Sequence, residues 1–98
     1  MPFQIVLVDK AVDDLRRMPA FHRSAVRDAI EQHLRHHPIL LSKSRIKRLE
    51  DIESPQYRLR VGDFRIFYDI QGGVVVVLAI LSKEESVQWL KEREKNHE

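Results

Sequence analysis

Apolar and polar residues alternate from Phe3 to Val8, with Phe3, Ile5 and Leu7 set against Gln4, Val6 and Val8. That is the period of a strand with one face more apolar than the other. The period then lengthens. Ala11, Leu15 and Met18 recur at i, i+4 and i+7, which predicts a first helix. Asp9 stands where its N-cap belongs, and Asp13 and Asp14 put negative charge early, where the macrodipole favours it. Pro19 closes this helix and opens a second, which runs to about His36, before Pro38. The buried face expected for it is Phe21, Ala25, Val26, Ala29, Ile30, His33 and Leu34, with Arg23 and Arg27 opposite. So tight a junction makes an antiparallel helical hairpin.

Residues 38–44 form a connection, Arg45 to Leu49 a short, basic, edge-like strand, and Glu50 to Pro55 an acidic loop. Tyr57–Val61 and Phe64–Ile70 alternate strongly around Gly62-Asp63, and glycine first in a two-residue loop predicts a type II′ hairpin. After a turn at Gln71-Gly72-Gly73, Val74 to Leu81 is apolar throughout, as a central strand covered on both faces would be. Ser82 and Glu85 make an S-x-x-E capping box for a last helix carrying Val87, Trp89 and Leu90. The expected fold is therefore α+β: a mostly antiparallel twisted sheet, an N-terminal helical hairpin packed on it, and a short C-terminal helix.

Length adds one constraint: 98 residues suit a single domain, 1–98, with one core. An apolar share of 43% beside a charged share of 33% separates the chain from disordered sequences. The absence of cysteine excludes disulfides, thiol chemistry and thiolate metal sites. No apolar run reaches the roughly 18 residues of a membrane span, and the start has no leader pattern. A cytoplasmic protein is expected. His33, His36 and His37 have no carboxylate at ligand spacing, so no metal or other cofactor is expected, and Gly72-Gly73 lacks the pattern of a phosphate loop.

The net charge of +2 identifies no partner; the placement of the charges is more telling. A two-residue loop at Gly62-Asp63 sets Val61 opposite Phe64, Arg60 opposite Arg65, Leu59 opposite Ile66, Arg58 opposite Phe67 and Tyr57 opposite Tyr68. One face of the hairpin is then core. The other gathers Arg58, Arg60, Arg65 and Phe67, with Asp69 able to offset one arginine at most. Like charges across a ladder cost roughly a few tenths to 1 kcal/mol per pair. A site for phosphate explains that cost, because guanidinium matches phosphate oxygens in bidentate geometry and Phe67 offers a base a stacking surface. Arg45, Lys47 and Lys83 widen the positive field. The alternative is a solvated sheet face whose arginine stems cover apolar surface.

The run Tyr57-Arg58-Leu59-Arg60-Val61-Gly62-Asp63-Phe64-Arg65-Ile66-Phe67-Tyr68-Asp69-Ile70 is similar to the hairpin of RelE/ParE toxins. The basic segment ending in Leu49, the valine-rich strand and the helical hairpin fall in the same order, so the resemblance spans nearly the whole chain. It implies the RelE-like fold and the toxin half of a type II toxin–antitoxin pair, neutralised by a cognate antitoxin, in a possible heterotetramer. For the RelE-like branch it implies metal-independent, ribosome-dependent cleavage of mRNA, in which a ribose 2′-OH attacks the adjacent phosphate. By position in the motif, the resemblance gives Arg58, Arg60, Arg65 and Lys83 the catalytic handling of phosphate, and Phe67, Arg45, Lys47 and Trp89 contacts to RNA. The segment Ser82-Lys83-Glu84-Glu85-Ser86-Val87-Gln88-Trp89 departs from the family pattern. Glu84 replaces a basic residue, and Trp89 stands near the place of a catalytic tyrosine. Tryptophan stacks but transfers no proton. The resemblance therefore also admits a ParE-like gyrase inhibitor that cuts nothing, and an RNA-binding relative without catalysis.

Overall fold

The computed structural model describes residues 1–96, with side chains as far as Glu94; the last two positions of the expected domain lie outside it. In chain order the elements are β1 (Gln4–Leu7), α1 (Asp9–Arg16), α2 (Ala20–Leu34), β2 (Ile46–Arg48), β3 (Tyr57–Val61), β4 (Phe64–Gln71), β5 (Val74–Ser82) and α3 (Lys83–Asn96). The five strands form one sheet in the order β1-β5-β4-β3-β2. Only the β1–β5 pair is parallel; the other three are antiparallel. This is the expected α+β architecture.

β5 lies inside the sheet, as its unbroken apolar run requires. β5 continues past the end of β1, and the backbone N–H of Ile80 is taken by Asp14 of α1, at 3.0 Å. Asp14 is only 3% exposed. It also accepts from Lys10 Nζ at 2.8 Å and Arg17 Nη2 at 2.7 Å, so a buried carboxylate ties α1 to the sheet with its charge balanced. On this face Leu59, Ile66, Tyr68, Val75, Val77 and Ile80 meet Ala11, Leu15, Val26, Ile30 and Leu34 in the main core. The Tyr68 hydroxyl donates to the Pro38 carbonyl, which closes the core beneath the end of α2.

Several details differ from expectation. Val8, not Asp9, is the N-cap of α1, without a side-chain hydrogen bond, and Asp9 is the first helical residue. Pro19 caps α2, which stops at Leu34 rather than His36. Phe21 and Ala25 are exposed, Phe21 by 79%, while Val26, Ala29, Ile30 and Leu34 form the buried stripe. At about 100° per residue Phe21 stands roughly opposite Ile30, so the seven positions assigned to one face were too many for it. β5 also carries a bulge: Phe67 pairs with Ala79 and Tyr68 with Val77, leaving Leu78 as the extra residue. The buried positions facing α1 and α2 are therefore Val75, Val77 and Ile80.

Candidate functional site

The β3–β4 hairpin has the register read from its two-residue loop, from Val61↔Phe64 to Tyr57↔Tyr68. Gly62 supplies the left-handed φ of +57° that the first loop position demands. Residues paired across a ladder share a face, so two rows of side chains cross the sheet on the side away from α1 and α2. Lys47, Arg58, Phe67 and Ala79 make one row. The other joins Arg60, Arg65 and Leu81, and extends to Arg45, whose carbonyl accepts from Arg60 N–H at 2.8 Å. Five cations thus share one face. The backbone N–H of Lys83 donates to the Asp63 carbonyl at 2.8 Å, which brings the start of α3 and Lys83 beside the hairpin turn.

These charges are poorly compensated. The three ion pairs of the described residues, Lys10–Asp14, Arg17–Asp14 and Arg35–Glu31, lie elsewhere. Asp69 is occupied on the same strand, accepting from Ser54 Oγ and, at 2.7 Å, from Gln56 N–H. Arg65 is 8% exposed and gives Nη1 to the carbonyls of Gly62 and Phe64, at 2.9 and 3.0 Å, neither of which carries a net charge. Nε of Arg58 is buried without a hydrogen-bond partner. Burial, then the charges of Arg65 and Arg60, pull the Arg58 guanidinium below its ordinary pKa. The guanidinium remains a cation, so the strain is electrostatic, and an anion would relieve it.

α3 closes over the apolar end of the same face. Its first turn has the expected capping box: Ser82 N–H donates to Glu85 Oε1 at 3.0 Å, and Glu85 N–H to Ser82 Oγ at 3.1 Å. Trp89 then lies on Phe67 with ring centroids 5.0 Å apart, and Leu49 and Leu90 complete a second cluster around Phe67, Ala79 and Leu81. Arg93 covers the Trp89 ring, its guanidinium carbon 4.8 Å from the centroid, and its Nε reaches the Ser54 carbonyl at 3.1 Å.

A family model described as the ParE toxin of type II toxin–antitoxin systems matches residues 5–87. The chain belongs to the RelE/ParE toxin family. Solved structures give the toxin the same fold at low identity. The RelB–RelE antitoxin–toxin complex from Methanococcus jannaschii matches with a TM-score of 0.65 and 21% identity, over 86% of this chain and 96% of that one. The toxin–antitoxin complex RelBE2 from Mycobacterium tuberculosis matches at 0.70 and 22%, over 84% and 99%. A free, doubly substituted RelE toxin from Escherichia coli matches at 0.63 and 18%, over 98% of each chain. No curated protein sequence matches.

The toxin brings Arg45, Lys47, Arg58, Arg60 and Arg65 together, with Lys83 at the rim, as the pattern of charges suggested. Two expectations need correction. Phe67 is 1% exposed beneath Trp89 and offers a base no open face; Trp89 is covered by Phe67 on one side and Arg93 on the other. The hairpin alone looks open because α3, which closes it, comes later in the chain. Arg65 is also nearly buried, so Arg58 and Arg60 stand closer to solvent. Arg93 escaped the sequence reading, although its place four residues after Trp89 on one helix was the available signal.

Proposed function

We propose that this toxin acts on mRNA at the ribosome as a metal-independent endoribonuclease, holding the scissile phosphate on the arginine face of β2, β3 and β4. The observation that carries this reading is the crowding of Arg58, Arg60 and Arg65 without a carboxylate to balance them, down to the unpartnered Nε of Arg58. In the reaction the 2′-OH gives up its proton as its oxygen attacks phosphorus, the bond to the 5′ oxygen breaks, and that oxygen takes a proton from water, so a cyclic phosphate and a 5′-OH result. The guanidinium groups and Lys83 neutralise the charge that gathers on the phosphoryl oxygens. Glu85 is committed to the helix cap, which leaves Glu84, exposed beside Lys83, as the carboxylate to accept the 2′ proton. The partner is a cognate antitoxin, by likeness to the RelB–RelE complexes, and work at the ribosome makes the toxin cytoplasmic.

A second reading, inhibition of gyrase by protein contact, is favoured by one feature. Phe67 and Trp89 seal each other, and Tyr57 and Tyr68 lie on the opposite face, where the Tyr57 hydroxyl accepts from Arg48 at 3.0 Å and that of Tyr68 donates to Pro38, so neither hydroxyl serves Arg58, Arg60 or Arg65. Primer extension on a reporter mRNA in a purified translation system separates the two. Cleavage that needs ribosomes and disappears with Arg60→Ala supports the nuclease. Intact message together with inhibited DNA supercoiling supports the gyrase reading and sinks the first.

A further inference from the structure

Ile39, Leu40 and Leu41, in the connection between α2 and β2, are consecutive and 57%, 66% and 55% exposed. Exposed runs of three apolar residues are avoided where folding is the only demand. This run is not slack. Just before it, buried Pro38 accepts the Tyr68 hydroxyl. Just after it, Ser42 N–H donates to the Ile46 carbonyl at 3.0 Å, and Ser42 Oγ accepts from the N–H groups of Arg45 and Ile46 at 2.9 and 3.3 Å. The ends are fastened while the apolar side chains face outward. Leu40 also edges a recess of about 360 Å³ shared with His33, His37, Ser42, Arg45 and Ile46.

The charge nearest the loop is positive. Residues 36–49 contain no Asp or Glu, but carry Lys43, Arg45, Lys47 and Arg48, while Arg35 is already paired with Glu31. A second copy of this chain would set those cations against their own kind. RNA would satisfy the charge but leave Ile39, Leu40 and Leu41 without apolar partners. A protein segment that is both apolar and acidic meets both demands.

We propose that the Ile39–Leu41 loop and the recess beside it are the docking surface for an acidic, amphipathic segment of the cognate antitoxin. This rests on the reading that the toxin is paired with one. Apolar residues of that segment lie on Ile39, Leu40 and Leu41, and its carboxylates face Lys43 and Arg45.

The test uses the full-length toxin and its purified antitoxin. Binding is measured for wild type, for Ile39→Ser/Leu40→Ser/Leu41→Ser and for Lys43→Glu, with amide exchange followed in the free and bound toxin. All four side chains are exposed, so folding is retained, and the thermal transition checks it. The triple variant should bind about tenfold more weakly or worse, Lys43→Glu more weakly to a lesser degree, and amides 39–45 should exchange more slowly in the complex. Wild-type affinity in the triple variant, with exchange at 39–45 unchanged by antitoxin, overturns the proposal. So does tighter binding by Lys43→Glu, which would make the partner segment basic. Loss of self-association or of RNA binding in the triple variant, with antitoxin affinity intact, overturns it in favour of a second copy or of RNA. If wild-type toxin binds no antitoxin, the pairing itself fails, a result distinct from all of these.

Discussion

The two faces of this sheet use one hairpin for opposite ends. Toward α1 and α2, Tyr57, Leu59, Ile66 and Tyr68 are buried in a continuous apolar core, and the polar groups among them are matched, as the Tyr68 hydroxyl is by Pro38. Burial, with a smaller contribution from neighbouring Tyr57, pushes the Tyr68 hydroxyl pKa well above its ordinary value, so it remains a neutral donor. Toward α3, three residues, Phe67, Ala79 and Leu81, form a small buried cluster, and beside it the face carries Lys47, Arg58, Arg60 and Arg65. The first face stabilises the fold. The second carries unbalanced charge that a stability-driven sequence would remove, and such a deficit is a reason to look for a ligand there.

The sharpest way to break the contrast is to damage each face in turn. Leu59→Ala opens a cavity at a position with no exposure, and urea unfolding should show a loss of about 2–5 kcal/mol across the whole molecule. Trp89→Ala removes a half-buried ring from the other face, for about 2 kcal/mol, below the usual cost of a fully buried one. Its consequence should be local: hydrogen exchange should speed up in α3 while β3, β4 and β5 keep their protection. Equal loss of protection on both sides would show that the two clusters are one cooperative unit.

A smaller effect tests how α3 is fastened. The Glu85 carboxyl is held below its ordinary value of 4.5 by hydrogen bonds from the Ser82 backbone and side chain, with lesser help from Arg17 and Lys10. A depressed folded pKa gives stability that is fully present above the unfolded value and is lost as pH falls through the folded one. Attachment of α3 should therefore weaken as pH falls below about 4.5, by no more than about a few tenths of a kcal/mol for so exposed a carboxyl, when followed by α3 exchange. Glu85→Gln should flatten that dependence. A stability effect of similar size and opposite sign belongs to Arg60→Ala, which relieves a like-charge pair and should gain a few tenths of a kcal/mol in urea unfolding. The same variant should bind single-stranded RNA more weakly, with a salt slope shallower by about 0.7. Greater stability with weaker binding would sharpen the contrast between the faces; loss of stability would mean that Arg60 is structural.

Which features were legible in advance follows from how far apart in the chain their causes lie. Side-chain direction in a strand has period two, and a two-residue turn fixes the pairing, so Arg58, Arg60 and Arg65 could be set on one face from residues 57–69 alone. The capping box of Ser82 and Glu85 is equally local. The bulge at Leu78 was hidden because β5 is apolar from Val74 to Leu81, which leaves no alternation to slip. Exposure of Phe21 and of Ile39, Leu40 and Leu41 runs against residue type, and composition cannot announce that apolar side chains are left uncovered.

By itself, then, the sequence determined the elements and the hairpin register, since each rests on spacing within a short stretch, and it carried a resemblance to the toxin family over nearly its whole length. Only the tertiary structure decided what covers each face. Phe67 became core because Trp89 returns over it, and Arg65 became nearly buried because its guanidinium folds back onto Gly62 and Phe64. Arg58 kept an unpartnered nitrogen, and the one acidic residue of the neighbouring strand, Asp69, is held by Ser54 and Gln56. Periodicity states which way a side chain points; whether anything waits there depends on segments brought together from elsewhere in the chain.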